Sequence, residues 1–311
     1  MKQLLLICAV VMSQSVLAAD KKPLTKEESA KVIEAAIRKQ LKRPTGELTK
    51  ADLEKVPVLL FYNNKLTEVP KGLEKLTQLR VLNLAFNKLT DVKGLEKLTQ
   101  LQRLSLYNNQ LTDVKGLERL TKLMSLNLKD NQLTNVKGLE NLTQLTFLQL
   151  GGNKLTEVKG LENLTQLKQL WLGSNQLTDV KGLEKLMQLT FLELEDIKLT
   201  DVKGLEKLTQ VTQLYLDGNQ LTNVKGLEKL TQLKTLNLSE NQLTDVKGLE
   251  KLTQLKVLYL YNNQLTDVKG LEKLTQLKSL NLRGNPDLTK AQIAELQKAL
   301  PNCKISSSPT K

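Results

Sequence analysis

The stretch LKTLNLSENQLTDVKGLEKLTQ, residues 233–254, decides the architecture of this chain. It carries seven apolar positions: Leu233, Leu236, Leu238, Leu243, Val246, Leu249 and Leu252. In Leu236-Asn237-Leu238 the alternation has period two, so both leucines point one way and Asn237 the other. That is a short strand with one buried face. The unit, written LxxLxLxxNxL with an eleven-residue remainder, is one of nine 22-residue copies running from Leu79 to Gln276. A 23-residue copy over 56–78, lengthened by Pro70, precedes them, and a truncated copy follows. One unit cannot fold alone, because burying seven side chains does not offset the conformational entropy of ordering its backbone. Stacked neighbours share a core and a parallel hydrogen-bonded ladder, so the pattern predicts an array of repeats closed by caps.

Two further columns follow from the repeat. Asparagine recurs at the end of each strand, from Asn64 and Asn87 to Asn285, where its amide can satisfy backbone groups as the chain leaves the sheet. Ten glycines, from Gly72 to Gly270, permit close chain packing on the opposite side. One unit breaks the first column with Ile197, forfeiting side-chain hydrogen bonds to buried backbone.

The ends read as caps. Thr25-Lys-Glu-Glu28 is a capping box that opens a helix through about Leu41, with Val32, Ile33, Ala36 and Ile37 on one face. Pro44 and Gly46 break it, and Thr49 to Asp52 begins a short helical turn. Thr289 to Gln292 caps a second helix carrying Ile293, Leu296 and Leu300, after which Cys303 packs as a buried apolar residue. The expected division is a signal peptide over 1–18, an N-terminal helical cap over 19–55 and ten repeats over 56–276. A final strand with a C-terminal helical cap over 277–305 and a disordered tail over 306–311 complete it. The leader rests on Lys2, the apolar run from Leu4 to Met12 and the small residue Ala18. It implies export, to the periplasm or beyond. The mature chain is expected to be a monomer without a transmembrane segment, since the leader's run is too short for a bilayer and no second apolar stretch of that length occurs.

Composition excludes more than it proposes. The chain of 311 residues has a net charge of +13, of which +3 falls in 20–55 and +4 in 277–311. The repeats therefore carry a thin excess with no basic face, which argues for solubility and against nucleic acid. There is no histidine, and Cys303 is the one cysteine left after a leader containing Cys8 is removed. That eliminates His-dependent catalysis and zinc sites built on His or Cys. No phosphate-binding glycine loop or nucleophile elbow occurs, so neither an enzyme nor a cofactor is expected.

With the repeat spelled out as Leu-Thr-Asp-Val-Lys-Gly-Leu-Glu-Lys-Leu-Thr-Gln-Leu, residues 56–285 resemble bacterial internalin-type leucine-rich-repeat proteins. The resemblance implies an α/β leucine-rich-repeat solenoid in the form of a right-handed horseshoe. It implies a parallel concave sheet of about eleven short strands, a convex side of 3₁₀ or irregular turns, and helical caps at both ends. It also implies extracellular recognition of a protein partner.

Comparison of the units with one another locates a candidate surface. The convex segments recur nearly unchanged, whereas variation concentrates on outward strand positions and on the two residues before the asparagine. Nine of the ten aromatics fall there: Tyr62, Phe86, Tyr107, Phe147, Trp171, Phe191, Tyr215, Tyr259 and Tyr261, with Phe61 alone pointing inward. Large aromatics on an exposed sheet face are the usual anchors of interfaces, although they also stabilise neighbouring strands by packing. Trp171, Glu193 and Tyr215 occupy one outward position on three successive strands, about 4.8 Å apart, with Phe147 and Phe191 set diagonally. Glu193, Glu195, Asp196 and Asp217 place acid beside these rings, suited to a basic partner surface. A glycan, which also stacks on aromatic faces, and a structural envelope role without a ligand are the alternatives. A bound cation is disfavoured, because hard cations need oxygens from a shaped loop rather than a flat strand face.

Overall fold

The computed structural model describes residues 24–308, so the leader read over 1–18 and the end of the tail lie outside it. Helix α1 (Lys26–Leu41) and the one-turn helix α2 (Lys50–Leu53) precede the repeats. Both start as their sequences require. Thr25 accepts from the Glu28 amide while the Glu28 carboxylate accepts from the Thr25 amide, and Thr49 and Asp52 repeat the exchange. Ile33 and Ile37 bury against the first repeat, and Arg43 pairs with Asp52 across the turn between the helices.

Each unit then contributes one three-residue strand, from β1 (Val58–Leu60) to β11 (Ser279–Asn281), in a single parallel sheet whose spatial order is the chain order. The register follows the 22-residue period: Leu214 of β8 (Gln213–Tyr215) lies opposite Leu236 of β9 (Thr235–Asn237), one full unit on. The central leucine of every strand is buried, and one continuous core runs from Ile33 to Cys303. The other face of the sheet lines the inside of the horseshoe.

Helix α3 (Lys290–Ala299), with its own capping box at Thr289 and Gln292, closes the far end through Leu296 and Leu300. Cys303 is free and buried beside them. The sheet has twelve strands, one more than the sequence led us to expect. After α3 the chain returns as β12 (Lys304–Ser306), pairing Ile305 with Leu280. The expected boundary of a disordered tail at Ser306 is therefore too early: Ser306 accepts from the Leu282 amide and the Ser308 hydroxyl from the Gly284 amide. The physical reason is the open edge of β11, whose backbone groups need partners.

On the convex side, six units form a single 3₁₀ turn over Leu-Glu-Lys among the described residues, as at Leu183–Lys185. The preceding glycines take φ between 95° and 111°, a region that disfavours side chains. The glutamate in the turn is more than a solvated charge: Glu184 folds back to accept from the Gly182 amide at 2.6 Å. That hydrogen bonding, to its own backbone and to Gly182, holds its carboxyl below the usual range.

The asparagine column is a hydrogen-bond ladder. Asn131 donates to the carbonyls of Leu106 and Leu128, both at 3.0 Å, and accepts from the Leu111 amide at 3.1 Å. Each asparagine thus ties its own strand end to the preceding unit. At Ile197 the ladder breaks. Among the described residues the Leu177 amide finds no acceptor, and no bond joins the Lys198 amide to the Leu177 carbonyl. The flanking units keep that bond, from Gln176 to Leu155 at 2.9 Å and from Gln220 to Leu199 at 2.8 Å. Asp196 and Lys198 both turn left-handed, at φ 51° and 62°. The first unit, which has no preceding repeat to bond, shows the same double turn at Asn63 and Lys65. An internal unit has taken the loop form of a terminal one.

Candidate functional site

The strands that matter most are β5 (Phe147–Gln149), β6 (Gln169–Trp171), β7 (Phe191–Glu193) and β8. Their outward positions form two rows, and the aromatics alternate between them. Phe147 and Trp171 have ring centroids 4.7 Å apart, Trp171 and Phe191 4.5 Å, and Phe191 and Tyr215 5.4 Å. The four rings make one tilted stack across the sheet, each half-buried by its neighbours. Trp171, Glu193 and Tyr215 lie in direct register, as their spacing required.

The remaining aromatics do not join this stack. Phe86 and Tyr107 meet edge to face at 4.8 Å near the N-terminal end, where Tyr62 stands exposed. Phe86 has φ 56°, an uncommon conformation for a bulky residue. Its column, just before the asparagine, is left-handed in every unit, which is why Asn, Asp, Gly and Ser dominate it. Variation there reflects backbone geometry as well as surface chemistry. Tyr259 and Tyr261 lie towards the C-terminal end. Burial, and then the Glu240 carboxylate as a hydrogen-bond partner, push the Tyr261 hydroxyl up.

Glu193 departs from the expectation of an acidic flank presented to solvent. Its side chain is buried, with 8% of the residue exposed. It folds into a niche left by Gly173 of the preceding unit, where a Cβ would collide with its carboxylate. One oxygen accepts from the Gly173 amide at 3.2 Å and the other from the Glu195 amide at 3.1 Å. Desolvation, and then the Glu195 charge, push its pKa up to about 7 despite those two donors. Asp217 sits at about 6, mainly through burial, with Glu195, Asp196 and Glu240 adding repulsion. Its Oδ1 is buried without a hydrogen-bond partner. Asp196 is exposed and lies over Gly218, where a Cβ would strike its carboxylate. Among the described residues no three acidic or cysteine side chains converge to hold a metal ion.

Beside the rings opens a cleft of about 380 Å³, whose charged lining is Glu193, Glu195, Asp130 and Lys129; Asp196 and Asp217 lie outside it. Gly151, Gly152, Gly173 and Ser174 form its small-residue side, Trp171 and Phe191 its aromatic side, and Glu193 and Glu195 its acidic side. The glycines are what the sequence reading missed. Their signal was present: the column holding Tyr107, Lys129, Glu195 and Asp217 falls to glycine in the two units between, at Gly151 and Gly173. No helix among the described residues is long and apolar enough to cross a membrane.

The leucine-rich-repeat family model (two copies) matches residues 58–97, 99–141, 143–185, 209–251, 231–270 and 253–298. No curated protein matches the chain. Among solved structures, the internalin InlF of Listeria monocytogenes is similar at 28% identity and a TM-score of 0.81, over 94% of this chain and 95% of that one. A leucine-rich-repeat protein of Leptospira interrogans, LIC12759, is 32% identical with a TM-score of 0.78, over 83% of this chain and 68% of its own. The functional domain of InlJ from Listeria monocytogenes, which includes a cysteine ladder, shares the fold at 23% identity and a TM-score of 0.72, over 95% of this chain and 69% of that one. Repeat period, parallel sheet and family match agree: the chain belongs to the leucine-rich-repeat family and is of the bacterial internalin type.

Proposed function

We propose that this protein is an exported, non-catalytic scaffold that binds a protein partner on the concave face of its sheet, through aromatic anchors centred on Trp171. Leucine-rich-repeat proteins generally serve as protein-binding scaffolds, which supports the class. The leader-like sequence over 1–18 supports export. The observation that carries the site is the four-ring stack beside a cleft, on a sheet whose neighbouring outward positions are small or amide residues such as Asn127, Gln149 and Asn237. Rigid aromatics clustered near the middle of a surface are where binding energy concentrates. The test is partner capture from secreted and envelope fractions by the wild type and by a variant combining Trp171→Ala and Tyr215→Ala. Loss of the captured protein with retained melting behaviour is the expected result. Equal capture by both proteins rejects the site. A glycan-array signal lost in the same double variant, without a protein partner, would instead select the sugar reading.

A further inference from the structure

We infer that the solenoid bends at one junction, between the units over 167–188 and 189–210. Strands β6 and β7 are the pivot, and the Trp171–Phe191 ring pair is the contact that follows the bend.

Three observations meet at this junction. The first is missing fastening. At the junctions on either side, three bonds join the asparagine loop to the unit before it. Asn175 accepts from the Leu155 amide at 3.0 Å and donates to the Leu150 carbonyl at 3.1 Å, and the Gln176 amide donates to the Leu155 carbonyl at 2.9 Å. Asn219 and Gln220 repeat the three bonds at 2.9, 2.8 and 2.8 Å. Among the described residues Ile197 and Lys198 form none of them. The Ile197 amide instead donates forward, to Oδ1 of Asn219 at 3.3 Å, which ties its loop to the unit that follows.

The second is space. A cleft of about 450 Å³ opens between the same two units on the convex side. Asp179, Val180 and Lys181 line one wall, and Leu199, Asp201 and Lys203 the other. Leu177 and Lys198, the residues whose bond is missing, lead directly into those walls along the chain.

The third is the opposite state of the concave side, where nothing is lost. The Leu172 amide donates to the Glu193 carbonyl at 2.9 Å, and the Ser174 amide to the Glu195 carbonyl at 2.8 Å. The Gly173 amide adds a bond to the Glu193 carboxylate at 3.2 Å, and Trp171 stacks on Phe191 at 4.5 Å. The two units are therefore held along the sheet and slack behind it, which is the arrangement of a hinge. In a solenoid each unit touches only its neighbours, so no other contact backs up a weak interface. A hinge needs few positions of altered backbone, and Lys198, at φ 62°, is left-handed where Gln176 and Gln220 are not. As the cleft widens, the two halves turn about the sheet and their concave faces approach, so the ring contact changes with the angle. On the reading that the concave face binds, a partner seated on the stack selects one angle.

The experiment measures distances between paired spin labels by pulsed electron paramagnetic resonance. Lys159→Cys with Lys225→Cys spans three units across the junction, and Lys93→Cys with Lys159→Cys spans three units on its N-terminal side. All three lysines are exposed and lie outside the cleft. Both pairs are made in the full chain with Cys8→Ala and Cys303→Ala, so that labels sit only at the chosen positions. The distance distribution across the junction should be at least about 1.5 times as broad as that of the other pair, and Ile197→Asn should narrow it to the same width. Trp171 is the only tryptophan, and residue 197 lies in the core, on the other side of the sheet. Ile197→Asn should nonetheless change acrylamide quenching of Trp171 by about 1.5-fold or more. Equal widths for the two pairs would overturn the inference, and that comparison needs no change at 197. A folded Ile197→Asn protein of undiminished width would overturn the assignment of the bend to the missing ladder, and unchanged quenching would overturn its link to the rings. None of these measurements uses a partner, so failure of the bend leaves the capture result with Trp171→Ala and Tyr215→Ala standing, and the reverse.

Discussion

Glu193 shows how much a single side chain can depend on its neighbours. On a lone strand it would be a solvated carboxylate. Here it is buried, and its folded form holds a proton more tightly than its unfolded form, with a pKa of about 7 against 4.5. Between those values the folded state binds more protons, so stability falls as pH rises through the window. The loss attributable to Glu193 is on the order of 3 kcal/mol. Denaturant melts at pH 5 and pH 8 should therefore show a larger drop for the wild type than for Glu193→Gln, and parallel drops would contradict the burial. At the same scale, Asn131→Ala removes four hydrogen bonds and strands the buried Leu111 amide. Urea unfolding should register a cost of about 1–3 kcal/mol, and more than about one further unit of cost would imply that the ladder acts cooperatively.

At the scale of the element, the repeat explains nearly everything except the unit that contains Ile197. There an additional left-handed turn, at Lys198, replaces a pair of inter-unit bonds. Exposed or unpaired backbone groups mark where a structure opens locally. Ile197→Asn restores the ladder side chain, and amide hydrogen exchange at Leu177 should slow by about tenfold, the equivalent of one hydrogen bond's net contribution. Unchanged exchange there would mean that the double turn is held by something other than the missing amide. The leucine-to-strand assignment, the three capping boxes and the inward Phe61 were all legible in the sequence, because each depends on residues adjacent in the chain or spaced by one period. The twelfth strand was not. β12 lies 25 residues after β11 rather than 22, so its pairing follows from where α3 delivers the chain.

For the whole molecule, stability is a sum over neighbouring interfaces, and the ends carry the largest unshared surfaces. Truncation after residue 285 would remove α3, Cys303 and β12, and expose the row ending at Leu280 and Leu282. The shortened protein should melt at least several degrees lower and associate in sedimentation runs. The concave double variant at Trp171 and Tyr215 should remain monodisperse. If both behaved alike, the rings would be packing elements of the sheet and not a reserved surface.

What the sequence by itself determined is the period, and with it the parallel sheet, the shared core, the asparagine ladder and both caps. Those depend on one repeating pattern of apolar and polar residues, which burial reads in the same way in every unit. Only the tertiary structure decided which outward residues touch. It separated nine aromatics into an N-terminal cluster, a central stack and a C-terminal pair, and it buried Glu193 against Gly173. Stacking brings residues 20 or 22 positions apart within a few ångströms, so a glycine in one unit sets the room, the solvation and the charge of a glutamate in the next.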